Sequence, residues 1–337
     1  MDVRQVFTKS SVKQEFLDRF DELAEAANRE AGGGLEGLEG GLTVDHAAEA
    51  ADRIEEGSFQ PGEQPALEAI VERFTRPVYL VQQSSLEVPP DTFPDSEEIK
   101  SRLEAARQAL QAIIPSAGRI DLRNHRLDWV GTAWMVAPGV AVTNRHVASE
   151  FAARDNGGFA FLANFGAPPI SASVDWRHEY RQADESRFRV EEVIWIEPPG
   201  SVDVALLRIA QQGESGEAAP PLVELVPREE FDIAGVGSWV AVIGYPARDS
   251  RNDAADQQRI FDGIYNVKRL APGQVTAVVA EDLIHHDATT LGGNSGSVVV
   301  DLMSGKALAL HFGGIEGDRN EAVQAPVVRR ILDEKLA

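Results

Sequence analysis

The chain has 337 residues, 43% of them hydrophobic, with 32 Lys and Arg against 54 Asp and Glu for a formal charge of −22. That is enough apolar material for a packed core, as one large domain plus a small one or as two mid-sized domains. So acidic a surface excludes nucleic acid as a general partner, and the absence of cysteine excludes disulfides, a thiol nucleophile and Cys-ligated zinc. Met1 to Phe7 lack the apolar core of a signal peptide and no later run is long enough to span a bilayer, so the expectation is a cytoplasmic protein without a membrane partner.

Residues 1 to about 115 read as mainly α-helical. Phe16, Phe20, Leu23 and Ala27 recur at helical spacing and predict a helix over 10–29, closed by the Gly-rich stretch 32–41. Further helical patterns cover 43–56 and 64–74, Pro77 to Val81 reads as a short strand, and a proline-rich stretch follows over 89–94. Ser96 is placed to cap a helix running to Ile113, with Glu97 and Glu98 in its first turn. The segment carries 11 basic and 23 acidic side chains. Its amphipathic order favours an interaction or regulatory region, with a protein partner, over a pro-segment lying on a cleft; both readings stay open.

From Gly118 the pattern changes to short strands between turns, as in an all-β domain. Arg119–Leu122, Val130–Val136 and Val140–Thr143 read as strands, the last two forming a hairpin around Pro138-Gly139, with His146 just past it. Val190–Ile196 and Val204–Ile209 follow. Asp203 opens the second of these, and a charge at the head of a buried-looking strand needs a hydrogen-bonding partner such as an imidazole. Residues 211–221 read as a linker to a second set of strands over Trp239–Ile243, Gly273–Val279, Ser297–Asp301 and Ala307–His311, closed by a helix over 325–336. The long polar loop between Pro246 and Ile260 reads as surface, with substrate gating or self-cleavage as the minority reading.

The stretch Thr289 to Ser297, TTLGGNSGS, ties these pieces together. A serine between glycines can sit on a tight turn with its hydroxyl exposed. Gly293 lets its N–H turn inward beside that of Ser295, two donors suited to an oxyanion. A serine hydroxyl needs a base, and the base a carboxylate to fix its tautomer. The order His146, Asp203, Ser295 within GTAWMVAPGVAVTNRHVA, DVALLRI and GGNSGS resembles the trypsin-like serine peptidases, particularly bacterial glutamyl endopeptidases and HtrA-type proteases, over residues 118–336. The resemblance implies an all-β protease domain over 116–337, of two six-stranded antiparallel β-barrels (about 118–210 and 222–320) and the C-terminal helix 325–336, behind the helical region 1–115. It implies a serine endopeptidase acting on a protein or peptide, with Ser295 as nucleophile, His146 as base, Asp203 orienting it and Gly293 and Ser295 as oxyanion hole. No cofactor is implied. An uncut active form is expected, because no Arg-Ile-Val-Gly-Gly junction precedes the first barrel. A catalytically idle or partner-gated protease fold, acting through its N-terminal region, is the rival reading.

The same resemblance bears on the substrate pocket. Enzymes with Arg/Lys preference carry an aspartate six residues before the nucleophile, where this chain has Thr289. Glutamyl endopeptidases use a threonine five residues before it, here Thr290, and a histidine in a His-aromatic-Gly-Gly stretch, here His311. A hydroxyl and an imidazole converging there imply an acidic side chain, glutamate, before the scissile bond. His285 and His286 beside Asp287 match no standard zinc spacing, and adjacent strand residues face opposite ways, so no metal site is expected.

Overall fold

The computed structural model describes residues 12–30, 43–56, 58, 67, 70, 71, 74, 77–87, 96–163, 168–248, 257, 260–315 and 319–337. The Gly-rich stretch 32–41, the proline-rich stretch 89–94 and nearly all of the polar loop after Arg248 lie outside the described residues. At the N-terminus, α1 (Val12–Asp18), α2 (Phe20–Glu30) and α3 (Val44–Glu55) pack around the helically spaced Phe16, Phe20 and Leu23. The helix expected over 10–29 is interrupted at Arg19, although Arg19 N–H to Glu15 O (3.1 Å) and Leu23 N–H to Arg19 O (3.0 Å) carry the hydrogen-bond ladder across. Ala47, Ala50, Ala51 and Ile54 of α3, with the helical Leu67, Ile70, Val71 and Phe74, complete this separate core.

Next come the hairpin β1 (Tyr79–Gln82) and β2 (Ser85–Glu87), then α4 (Glu97–Ala105) and α5 (Arg107–Ile113). Gln83 and Ser84 both take left-handed φ (51° and 57°), the twist a two-residue hairpin turn needs. Ser96 makes no cap to α4 through its own side chain. Glu15 of α1 does this instead: its carboxylate accepts from Ser96 Oγ (2.8 Å), Glu97 N–H (2.6 Å) and Glu98 N–H (3.4 Å). A negative charge on the free N–H groups at a helix start is favourable. Burial pushes the Glu15 carboxyl up, but these hydrogen bonds and Arg19 outweigh it and hold it below the usual glutamate value.

The first barrel is built from β3 (Ala117–Arg123), β4 (Trp129–Ala137), β5 (Val140–Thr143), the single turn α6 (Arg145–Ala148), the small hairpin β6 (Ala152–Asp155) and β7 (Gly158–Phe161), β8 (Ser171–Asp175), β9 (Arg187–Ile196) and β10 (Ala205–Ile209). Six of these close in the order β10-β5-β4-β3-β8-β9. After α7 (Arg228–Phe231), the second barrel comprises β11 (Trp239–Gly244), β12 (Arg269–Val279), β13 (Leu283–His286), β14 (Val298–Asp301), β15 (Ala307–Ile315) and β16 (Arg319–Gln324), and α8 (Ala325–Leu336) ends the chain. Its order β11-β14-β15-β16-β13-β12 closes because the first half of β12 pairs with β11 and its second half with β13. The expected pair of six-stranded antiparallel barrels behind a region with helices is therefore present.

Period-two alternation explains why the motif strands read as unbroken apolar runs. On β4, β5 and β10, Ala133, Met135, Ala141, Ala205 and Leu207 point into the first barrel. Their neighbours Trp134, Val136, Val140, Val142 and Leu206 join a core shared with the second barrel. These strands form the wall between barrels, and His146 and Asp203 lie at its end.

The shared core also contains Tyr79, Val81, Ile99, Leu103, Leu110, Ile113 and Ile114, on the N-terminal side of the expected boundary at 115/116. β1 extends the second barrel by pairing with β12, Tyr79 opposite Leu270. Lys268, fully buried, donates to Ile114 O (3.0 Å), Trp176 O (2.7 Å) and Glu179 Oε1 (3.2 Å), while Glu179 Oε2 accepts from Ser84 N–H (2.9 Å). This one ammonium ties the hairpin turn and both barrels together. Burial lowers its pKa, with Glu179 opposing the shift.

Candidate active site

β5 and β10 pair antiparallel with Thr143 opposite Ala205, so the residues just beyond each strand end meet at one edge of the wall. Asn144, fully buried, donates from Nδ2 to Asp203 O (3.0 Å). Arg145 Nη1 donates to Pro198 O (3.0 Å) and Ser201 O (2.8 Å), bracing the turn that leads into Asp203. The Asp203 carboxylate takes two donors from one residue: His146 Nδ1 lies 2.6 Å from Oδ2, and His146 backbone N–H donates to Oδ1 at 3.0 Å. An ionised carboxylate only accepts, so the imidazole proton sits on Nδ1 and Nε2 is left as a base. Burial pushes the Asp203 carboxyl up. The His146 side chain, its charge and backbone N–H, and Arg145 outweigh that and hold the acid below its ordinary value. The His146 side chain is 47% exposed against 12% for Asp203, so the base is reachable while its orienting acid is covered.

Ser295 lies on the link between β13 and β14, shaped by two successive turns: Asn294 N–H to Leu291 O (3.2 Å) and Ser297 N–H to Asn294 O (2.9 Å). Gly293 and Gly296 take φ of 87° and 88°. A Cβ on Gly293 would overlap Trp129 and Tyr245 O, and one on Gly296 would overlap Thr132 O. Thr132 of β4 grips the turn from the other barrel: its N–H donates to Ser295 O (2.8 Å) and its Oγ1 to Gly293 O (3.1 Å). A Cβ on Gly131 would lie 2.9 Å from Ser295 O and 3.0 Å from Val147 Cγ2. The serine turn therefore sits against the helical turn that carries His146.

Gly292 O accepts from Ala247 N–H at 2.6 Å, and no peptide bond among the described residues is cis. In a trans peptide the N–H opposes the C=O, so anchoring Gly292 O turns Gly293 N–H the other way. Neither Gly293 N–H nor Ser295 N–H has a protein acceptor among the described residues.

Thr290 donates to Asn320 Oδ1 (2.6 Å), and Asn320 Nδ2 donates to Ala288 O (2.7 Å). His311 is 2% exposed, its Nδ1 lies 3.1 Å from Nε2 of the fully buried His286, and its own backbone flanks the serine: Gly296 N–H donates to His311 O and His311 N–H to Ser297 O, both at 2.9 Å. Burial drives the His311 pKa well down, and His286 and His146 push it the same way. His285 faces the opposite side of β13, with Nε2 3.7 Å from Glu321. Thr289, six residues before Ser295, is buried. No cluster of three or more metal-ligating side chains occurs among the described residues.

Thr132, Asn144, Asn320 and the His286–His311 contact were not singled out by the sequence. Thr132 and Asn144 lie inside the stretch GTAWMVAPGVAVTNRHVA and had that as their only signal. Asn320 sits in RNEAVQ, which is too polar to read as a barrel strand.

Residues 131–310, more than half of the chain, match the trypsin-like peptidase domain family. A probable serine protease of Lysobacter enzymogenes is 31% identical over 315 residues, spanning 85% of this chain and 80% of that protein. The chain belongs to the trypsin-like serine peptidases and is a serine endopeptidase, a hydrolase. Among solved structures, a serine endoprotease from Yersinia pestis is similar with a TM-score of 0.44 and 15% identity, over 68% of this chain and 66% of that one. The active form of the Rv3671c protease from M. tuberculosis has a TM-score of 0.44 and 20% identity, over 70% of this chain and 87% of that one.

Proposed function

We propose that the endopeptidase works through a triad of Ser295, His146 and Asp203 and a covalent acyl-enzyme. The observation that carries this reading is the two-point grip of Asp203 on His146, 2.6 Å to Nδ1 and 3.0 Å to the backbone N–H, which leaves Nε2 unprotonated on a half-exposed side chain. Ser295 Oγ attacks the peptide carbonyl as His146 Nε2 takes its proton, and Asp203 stabilises the imidazolium. The carbonyl oxygen, now negative, accepts from Gly293 and Ser295 N–H. The intermediate collapses, His146 protonates the leaving amine, and water, activated by the same base, releases the acyl group. Labelling of the uncut protein by a fluorophosphonate, lost in Ser295→Ala, is the expected result. Labelling that survives in Ser295→Ala would remove Ser295 from the role.

The side chain before the scissile bond is proposed to enter beside Thr290 and His311. Glutamate there, the preference the glutamyl-endopeptidase likeness implies, needs a charged His311 ring and a Thr290 proton turned to the substrate. A second element of the proposal is that the N-terminal region, residues 1–115, acts as an interaction or regulatory region for a protein partner; α1, α2 and α3 share a core of their own and Glu15 reaches α4. The proposal sets the enzyme in the cytoplasm, since a cysteine-free chain needs no oxidising compartment. Among the described residues, no helix is long and apolar enough to cross a membrane.

A further inference from the structure

Asn320 holds Thr290, a residue of the proposed substrate pocket, from a strand that carries no motif. It pairs with Gly314 on β15 and with His286 on β13, and Ala322, two residues on, pairs with His311. Opposite and alternate residues share a face, so Asn320, His286 and His311 lie on one side of the sheet, while Glu321 and His285 lie on the other. A Cβ on Gly314 would lie 2.6 Å from Asn320 Oδ1, which puts the amide against β15 three residues past His311. Thr290 reaches the same amide from the serine loop.

Two hydrogen bonds fix where the Thr290 proton goes. Ala288 O can only accept, so the Asn320 group facing it at 2.7 Å is the NH2, and Oδ1 faces Thr290. Oδ1 can only accept, so the single Thr290 hydroxyl proton is spent on that 2.6 Å bond. From Thr290 Oγ1 and Asn320 Oδ1 an incoming side chain is then offered only lone pairs, while the contact between His286 and His311 allows either tautomer of the His311 ring. A carboxylate brought to these two oxygens meets acceptors with an acceptor and gains nothing there for its lost hydration. A carboxamide of the same shape brings the missing donors.

We propose that this pocket selects an uncharged carboxamide, a glutamine side chain, before the scissile bond, and that Asn320 sets the selection by holding the Thr290 proton. The amide NH2 donates to Thr290 Oγ1 and Asn320 Oδ1. The buried, uncharged His311 offers no positive charge that would favour glutamate instead. This inference rests on the triad reading and deepens it by naming the substrate class.

The test uses the full-length protein and matched fluorogenic peptides that differ only before the cut, with Gln, Glu, Asn, Leu or Lys, at pH 8, alongside fluorophosphonate labelling of Ser295. The expected result is labelling, with kcat/KM for Gln above Glu by at least about tenfold, the scale of an unmet hydrogen bond to a charged group. Asn320→Ala frees the Thr290 proton, and the Gln-to-Glu ratio is expected to fall by about tenfold for the same reason. Thr290→Val, which keeps the shape and removes the hydroxyl, is expected to lower the Gln rate selectively. Labelling with Glu cleaved as well as Gln overturns the carboxamide preference and leaves the triad standing. A ratio unchanged in folded Asn320→Ala, or in Thr290→Val, overturns the role of that wall. No labelling and no cleavage of any peptide overturns both readings.

Discussion

Asp203→Asn separates the orienting role of the carboxylate from its packing, because the amide has the same shape. Asp203 receives two donors from His146, the backbone N–H at 3.0 Å and Nδ1–H at 2.6 Å. The backbone N–H is an obligate donor, so the asparagine oxygen must face it, and its NH2 then lands on Nδ1. Nδ1 becomes the acceptor, the ring proton moves to Nε2, and the base facing the substrate side is lost. Both hydrogen bonds survive, so the fold should keep its stability. Activity should fall by about 10⁴-fold, or about 5.5 kcal/mol in the barrier, the scale of a wrong-tautomer histidine in such a triad. The assay is kcat/KM on the preferred peptide, with Tm on the same sample. A loss under tenfold, with Tm unchanged, would refute the tautomer argument. A collapse of Tm would refute the claim that the amide satisfies both bonds.

Four further outcomes are expected. Gly293→Ala forces a side chain into a left-handed turn against Trp129 and Tyr245 O, displacing an oxyanion donor; fluorophosphonate labelling should slow by about 10²-fold or more, and an unaltered rate would contradict the assignment. Lys268→Met leaves Glu179 buried without its partner, and urea unfolding should show a loss of about 3–5 kcal/mol, with less than about 1 arguing that the ammonium is not the tie between barrels. Glu15 has a folded pKa below its unfolded value, so its contribution is full above the unfolded pKa of about 4.3 and is lost as pH falls through the folded value. The protection factors of Glu97 and Glu98 N–H should fall as pH drops through the folded value, and in Glu15→Ala should be low already at pH 6; protection that ignores both would refute the contact. Removal of residues 1–76 should leave a folded protein that still labels, whereas removal of 1–115 strips Tyr79, Val81, Ile99, Leu103, Leu110 and Ile113 from the shared core and should give aggregate.

The barrels were legible because strand pairs around Gly and Pro, with an apolar period of two, leave a local imprint. The motif strands β4, β5 and β10 were legible for a second reason: burial on both faces makes them continuous apolar runs, and these bracket His146 and Asp203. The polar strand β16 left no such imprint, since its alternate residues Arg319 and Glu321 face away from the core and Asn320 is held by partners distant in sequence. The capping of α4 was misread in the same way. Ser96 had the right residue type, but Glu15, 82 positions before Glu97, supplies the acceptor.

What the sequence determined by itself was the chemistry available: residue types, their order, and glycines at two turn positions that tolerate no side chain. Tertiary structure decided which groups spend their protons on one another. Thr132 binds the serine turn across the barrel interface, Glu15 caps a helix of another unit, and Asn320 claims the hydroxyl of Thr290. The physical reason is that a hydrogen bond depends on distance and direction within about an ångström, and such proximity between residues tens or hundreds of positions apart exists only once the chain has folded.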